Sequence, residues 1–220
     1  MPWYPGADRR YLTQYWDGGR WLILLTERFL RLENTWIALD DIAEVAYWSR
    51  TYMSFGTPYY APRPRVERAF SVTDVHGTVT TLALNWPGYF DNDEKRVAFS
   101  GLVEISRRMI EPRITERILA TLHRGEQFTV KDGWAYLSLH RDGMTARTLR
   151  THQAAWSDFY TVDVNPYFNN MDPIELTGQA RLWVTRGGKP HMMTGLTTMV
   201  PNAVVLGSLL PACARRFGAR

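Results

Sequence analysis

The chain has 220 residues, enough for one large domain or two small ones. Apolar residues make up 45% and charged residues 22%, a balance that excludes a disordered chain. A formal charge of +4 with no long run of like charge excludes a basic nucleic-acid-binding tail.

The opening stretch, Pro2 to Trp21, crowds Trp3, Tyr4, Tyr11, Tyr15, Trp16 and Trp21 around Asp17-Gly18. It reads either as a hairpin that closes a larger core or as a ligand-binding clasp, and the turn dipeptide favours the hairpin. Trp21 to Asn34 continues as an apolar run followed by alternation of Phe29, Arg31 and Glu33 against Leu30 and Leu32, which is strand. Ile37, Leu39, Ile42, Val45 and Tyr47 are spaced for two short strands or one strand with a bulge. Ser49 to Arg68 contains three prolines and a glycine and predicts a long loop. A hairpin turning at His76-Gly77 follows. A helix capped from among Asp91, Asn92 and Asp93 comes next, with Val97, Leu102, Ile105 and Met109 on its apolar stripe. Pro112 restarts the helix, and Gly125 ends it as a left-handed cap.

The same order then recurs. Turns are expected at Asp132-Gly133, Asp142-Gly143 and Gly187-Gly188, with a loop from Asn165 to Gly178. An apolar helix closes the chain, with Asn202 near its start and Leu206, Leu209, Leu210, Cys213 and Phe217 on one stripe. Asp41-Ile42 and Val45 correspond to Asp158-Phe159 and Val162, and His76-Gly77 corresponds to Gly187-Gly188. The pattern predicts an α+β chain of two β-rich units, residues 1–124 and 125–220, each closed by a helix.

Leu139 to Met144 (L-H-R-D-G-M), Trp156 to Val162 (W-S-D-F-Y-T-V) and Val200-Pro201-Asn202 resemble the bacterial pleckstrin-homology-like domains. Leu39 to Val45 (L-D-D-I-A-E-V) stands in the corresponding place of the first half. The resemblance implies antiparallel sheets or partial barrels closed by C-terminal helices, and binding of phosphoinositides, peptides or proteins. Trp3-Tyr4-Pro5 and Tyr15-Trp16-Asp17-Gly18 with Trp21 also resemble a short N-terminal domain of unknown function, although Gly6-Ala7 replaces its usual aspartate-proline. Basic residues expected for headgroup binding in the first hairpin loop are poorly matched by Asp17 to Arg20 and Lys131 to Gly133.

Catalytic signatures are missing: there is no glycine-rich phosphate loop, dinucleotide fingerprint or His-Glu-x-x-His. No cofactor is implied. Asp40 and Asp41 are adjacent, so in a strand they face opposite ways and cannot form a dyad. His140 and His152 could converge across a hairpin, but paired histidines in a sheet seldom bind metal. Cys213, the only cysteine, excludes an intrachain disulfide and reads as a buried inert thiol. No secretory leader is evident, and the apolar stretch from Met199 is short and interrupted by Pro211, so the expected location is cytoplasmic.

The Ser49–Arg68 segment is the strongest candidate site. It interleaves Tyr52, Phe55, Tyr59 and Tyr60 with Arg50, Arg63, Arg65 and Arg68, residue types that concentrate binding energy at interfaces. Its alternative role is to cover the sheet. The second loop offers Tyr167 and Phe168 but carries acids. The sequence therefore predicts a non-enzymatic adaptor that takes a protein partner on Phe55, Tyr59, Tyr60, Arg63, Arg65, Tyr167 and Phe168. Self-association is a further option. The alternative is peripheral binding of an anionic membrane or nucleic acid through residues 49–68.

Overall fold

The computed structural model describes residues 13–17, 20–54, 63–84, 93–169 and 178–218. Strands β1 (Thr13–Asp17), β2 (Arg20–Leu25), β3 (Phe29–Leu32) and β4 (Thr35–Ala38) form an antiparallel meander. Asp17 pairs with Arg20 and Trp16 with Trp21, so the aromatic stretch does enter a hairpin. Gly18 and the residues before Thr13 lie outside the described residues.

A 3-10 turn at Leu39–Asp41 leads into β5 (Ile42–Ser54), β6 (Arg63–Asp74) and β7 (Val79–Ala83). Helices α1 (Asp93–Ile105) and α2 (Glu111–His123) follow, joined by a π-helical turn at Ser106–Ile110. Pro112 sits in the first turn of α2, where its missing N–H costs least. Gly125 ends the run with φ +85°, as a glycine cap should. The predicted stripe of α1 is misphased at one position: Val97 is 67% exposed, while Ala98, Phe99, Leu102 and Val103 are buried.

The second half repeats this order with β8 (Phe128–Asp132), β9 (Ala135–His140), β10 (Gly143–Arg147) and β11 (Thr151–Ala155), then a 3-10 turn at Trp156–Asp158. Next come β12 (Phe159–Asn165), β13 (Tyr167–Asn169), β14 (Gln179–Arg186), β15 (Lys189–Thr197) and helix α3 (Leu206–Phe217). Leu206, Leu209, Leu210 and Cys213 are buried and Phe217 is partly buried, so the predicted stripe of α3 is the packed face. The chain is thus α+β, mostly antiparallel, with four small sheets and a C-terminal helix; none of the sheets closes into a barrel among the described residues.

Turn chemistry behaves locally. Gly187 and Gly188 take φ +57° and +76° between Arg186 and Lys189, the left-handed pair that a two-residue hairpin requires. At His76-Gly77 the turn has three residues, because Asp74 still pairs with Thr78 and only Gly77 is left-handed. Gly143 is not a turn residue. Arg141 and Asp142 make the turn, and Gly143 lies in β10, where a Cβ would sit 2.4 Å from the Ala154 carbonyl oxygen.

One hydrophobic cluster runs from Ile23 in β2 through Phe99, Leu119, Leu139 and Leu182 to Cys213. The Thr115 and Ser208 hydroxyls, 2.9 Å apart, join α2 to α3. Arg117 in α2 donates to the carbonyls of Asp40 and Ile42, at 2.8 and 3.0 Å, fixing that helix to the start of β5. Asp40 itself pairs with Arg113.

Candidate functional site

The 49–68 segment is not a loop along most of its length. β5 and β6 pair continuously from Ile42↔Asp74 to Ser54↔Arg63, so residues 49–54 and 63–68 are strand. Periodicity missed this because Pro64 lies inside β6 and the prolines near it read as breakers. The alternation of faces divides the arginines. Ser49 and Arg68 oppose each other and are only 5% and 6% exposed, so Arg68 is not part of an accessible interface. Arg50, one position on, is exposed and stands opposite Glu67.

Among the described residues, β7 pairs with β6 from Ala69 to Thr73, and β13 pairs with β5 from Ser49 to Thr51. The last rungs, Tyr52↔Arg65, Met53↔Pro64 and Ser54↔Arg63, pair β5 with β6 alone among the described residues, as a two-stranded ribbon. Arg63 and Arg65 occupy positions on the same face of this ribbon as Arg50 and Tyr52. Phe55, Tyr59 and Tyr60 lie outside the described residues.

Tyr167 and Phe168 come to the same sheet. β13 lies parallel to β5, with Tyr167 at Ser49 and Phe168 at Arg50, so both stretches singled out in the sequence meet on one strand. The Ser49 N–H donates to the Pro166 carbonyl at 2.9 Å. The Asn165 side chain accepts from the Tyr167 N–H at 3.0 Å, an Asx turn that sets the entry into β13. Tyr167 is 46% exposed, and its ring meets Phe99 of α1 edge-on at 6.2 Å between centroids.

Beneath this edge lies a buried polar cluster that the sequence did not reveal. The Tyr47 hydroxyl donates to Glu111 Oε1 at 2.9 Å, and the Ser106 hydroxyl donates to the same oxygen at 3.0 Å. Glu111 is 4% exposed. Burial raises its carboxyl above the usual range; the bonds from Tyr47 and Ser106 and the charge of Arg107 oppose that rise only in part. Burial, reinforced by the Glu111 charge, likewise pushes the Tyr47 phenol well up. The only signal was a glutamate just before Pro112, five residues after a serine. That spacing faces one way only through a π turn. So enclosed a carboxyl holds the turn to β5 and offers no surface to a substrate.

The second-half histidines separate. His140 lies in the same face as Gly143 and Ala155, whereas His152 pairs with buried Ala146 on the other face. Among the described residues no group of three or more His, Cys, Asp or Glu could hold a metal. Thr129, Ser138, Thr145 and Gln153 align across the four strands β8 to β11. They border two adjoining open clefts of about 500 and 280 Å³ that share His140 and Thr145. Burial pushes the Cys213 thiol up to about 12, as expected of an inert thiol. No helix among the described residues is long and apolar enough to cross a membrane.

Comparison with family models, curated proteins and solved structures finds no match to this chain.

Proposed function

We propose that this chain is a non-enzymatic adaptor, built as two pleckstrin-homology-like units, that takes a protein partner on the β5–β6 ribbon. One observation carries the reading: the register of β5 with β6 sets Tyr52, Arg63 and Arg65 at positions on one face of the strand pair, beyond the described rungs of β7 and β13. Arginine and tyrosine are the residues whose truncation costs most at interface centres. The repeated order of meander, 3-10 turn, three antiparallel strands and helix supports the tandem assignment.

The arginines of the ribbon also favour a second reading, attachment to an anionic membrane or nucleic acid. Affinity capture with Arg63→Gln/Arg65→Gln beside the wild type, at ~0.15 and ~0.5 M salt, separates the two. The expected result is a protein captured by the wild type at both salt levels and lost with the double variant. Binding to anionic vesicles or single-stranded DNA that collapses at high salt would replace the adaptor reading with the second.

A further inference from the structure

The meander β8 to β11 buries Val130, Leu137, Leu139 and Ala146 on one face and is polar on the other. On the polar face Thr129, Ser138, Thr145 and Gln153 stand side by side, one on each strand. Neighbouring strands lie about 4.8 Å apart, so this line repeats at close to the length of one sugar ring. Hydroxyl and amide side chains both donate and accept hydrogen bonds. The Thr129 and Ser138 hydroxyls, 2.8 Å apart, share one hydrogen and keep the other for a third partner. The two clefts over this line meet at His140 and Thr145, and the larger, of about 500 Å³, lies over β10 and β11. Its floor is bare because Gly143 pairs with Ala155, and a Cβ on Gly143 would meet the Ala154 oxygen at 2.4 Å. Asp142 precedes Gly143 and Asp158 follows Ala155, so both carboxylates stand at the same end of the strands. The Ala155 N–H donates to Asp158 Oδ2 at 3.2 Å, which fixes that carboxylate at the rim. Among the described residues no lysine or arginine lines this cleft, a local reversal of sign in a chain of net charge +4. Lys131 lines only the smaller cleft, so the acidic character belongs to the β10–β11 end. An extended peptide is bound through free backbone groups. Those of β9 and β10 are taken up by a neighbour on each side, and the face offers side chains instead.

We propose that the two clefts together bind a short cationic saccharide, a chain of amino sugars lying across the strands. Ring hydroxyls meet the line of Thr129, Ser138, Thr145 and Gln153, one ring to each cleft. The ammonium of the ring over β10 and β11 is held by Asp142 and Asp158. A polar lining of this kind suits a ligand with hydrogen-bonding groups all round its rings, whereas most small-molecule pockets are apolar with a few polar groups. The site is separate from the β5–β6 ribbon and does not depend on the adaptor reading.

The probe is the disaccharide of glucosamine, titrated into the full nitrogen-15-labelled chain and followed by amide chemical shifts. Its N-acetylated counterpart has the same rings without the charge, and lysyl-lysine has the same net charge without the rings. The glucosamine disaccharide should shift Gly143, Thr145 and Ala155 saturably, and the N-acetylated one should bind at least about tenfold more weakly. Asp142→Asn/Asp158→Asn, which keeps an oxygen for the Ala155 N–H, should bring the two disaccharides to equal affinity. Thr145→Val/Gln153→Ala should weaken both about tenfold, and Gln153→Ala alone, at an exposed position, carries the same test if the double variant does not fold. Arg63→Gln/Arg65→Gln should leave disaccharide binding unchanged. Lysyl-lysine binding as tightly as the glucosamine disaccharide would make the cleft a patch for any cation and overturn the saccharide assignment. The absence of a saturable shift below ~10 mM, shifts confined to other residues, or variants that bind like the wild type would also overturn it.

Discussion

Asn202 is joined to Val45 by two hydrogen bonds that imitate a strand pair. Its N–H donates to the Val45 carbonyl at 2.8 Å, and its side-chain Oδ1 accepts from the Val45 N–H at 3.1 Å. Asn202 is buried and left-handed, with φ +63°, where asparagine is among the few side chains tolerated. It is therefore a stitch between the start of the final helical segment and β5, 157 residues away in sequence. Asn202→Gly keeps the backbone geometry but strands the Val45 N–H, at an expected cost of about 1–3 kcal/mol. Asn202→Ala should cost roughly 1 kcal/mol more because alanine is strained at that φ. Urea midpoints of the two variants against wild type would check the order.

Glu111 gives a pH signature. Its carboxyl is raised in the folded chain, so the folded state holds its proton more tightly than the unfolded state does. The contribution is fully present below the unfolded pKa and is lost as pH rises through the folded one. Glu111→Gln retains an oxygen that accepts from both Tyr47 and Ser106 and cannot ionise. Stability of the variant minus that of wild type should therefore grow between pH ~4 and ~8, as measured by urea unfolding at each pH. A difference that is flat, or that falls with pH, would mean that Glu111 is ionised in the folded chain.

Two glycines should respond oppositely to alanine. A Cβ at Gly143 would press on the backbone of β11, 2.4 Å from the Ala154 oxygen, so Gly143→Ala should lower the melting temperature. Gly101 lies within α1 with nothing within 4 Å of a Cβ. Gly101→Ala should stabilise by about 0.5–1 kcal/mol through helix propensity.

Trp156 anchors α3. Its indole N–H donates to the His140 carbonyl at 2.9 Å, and its ring lies 6.5 Å from that of Phe217. Trp156→Phe should cost about 1–3 kcal/mol by leaving that carbonyl unpaired, and Trp156→Ala about 3–5 kcal/mol by opening a cavity as well. Loss of near-ultraviolet dichroism at a lower denaturant concentration would report both.

The local features of this chain were legible in its residues. Gly187-Gly188 and Gly125 take the left-handed backbone that glycine permits, and Leu206 to Phe217 pack on the face that their spacing marks. Such features depend on neighbours within about one turn, so a linear pattern holds the information. The candidate site was legible only as composition. Arg63 and Arg65 fall at positions on one face of the β5–β6 pair, but nothing in their composition separates them from Arg68, which the pairing of β5 and β6 buries opposite Ser49. The parallel contact of Tyr167 with Ser49, the Asn202–Val45 stitch and the closure of Glu111 under Tyr47 were decided by tertiary structure. Each joins positions far apart in the chain, and a hydrogen bond of that kind depends on where two backbones are carried by the packing between them. Neither partner's own neighbours contain that information.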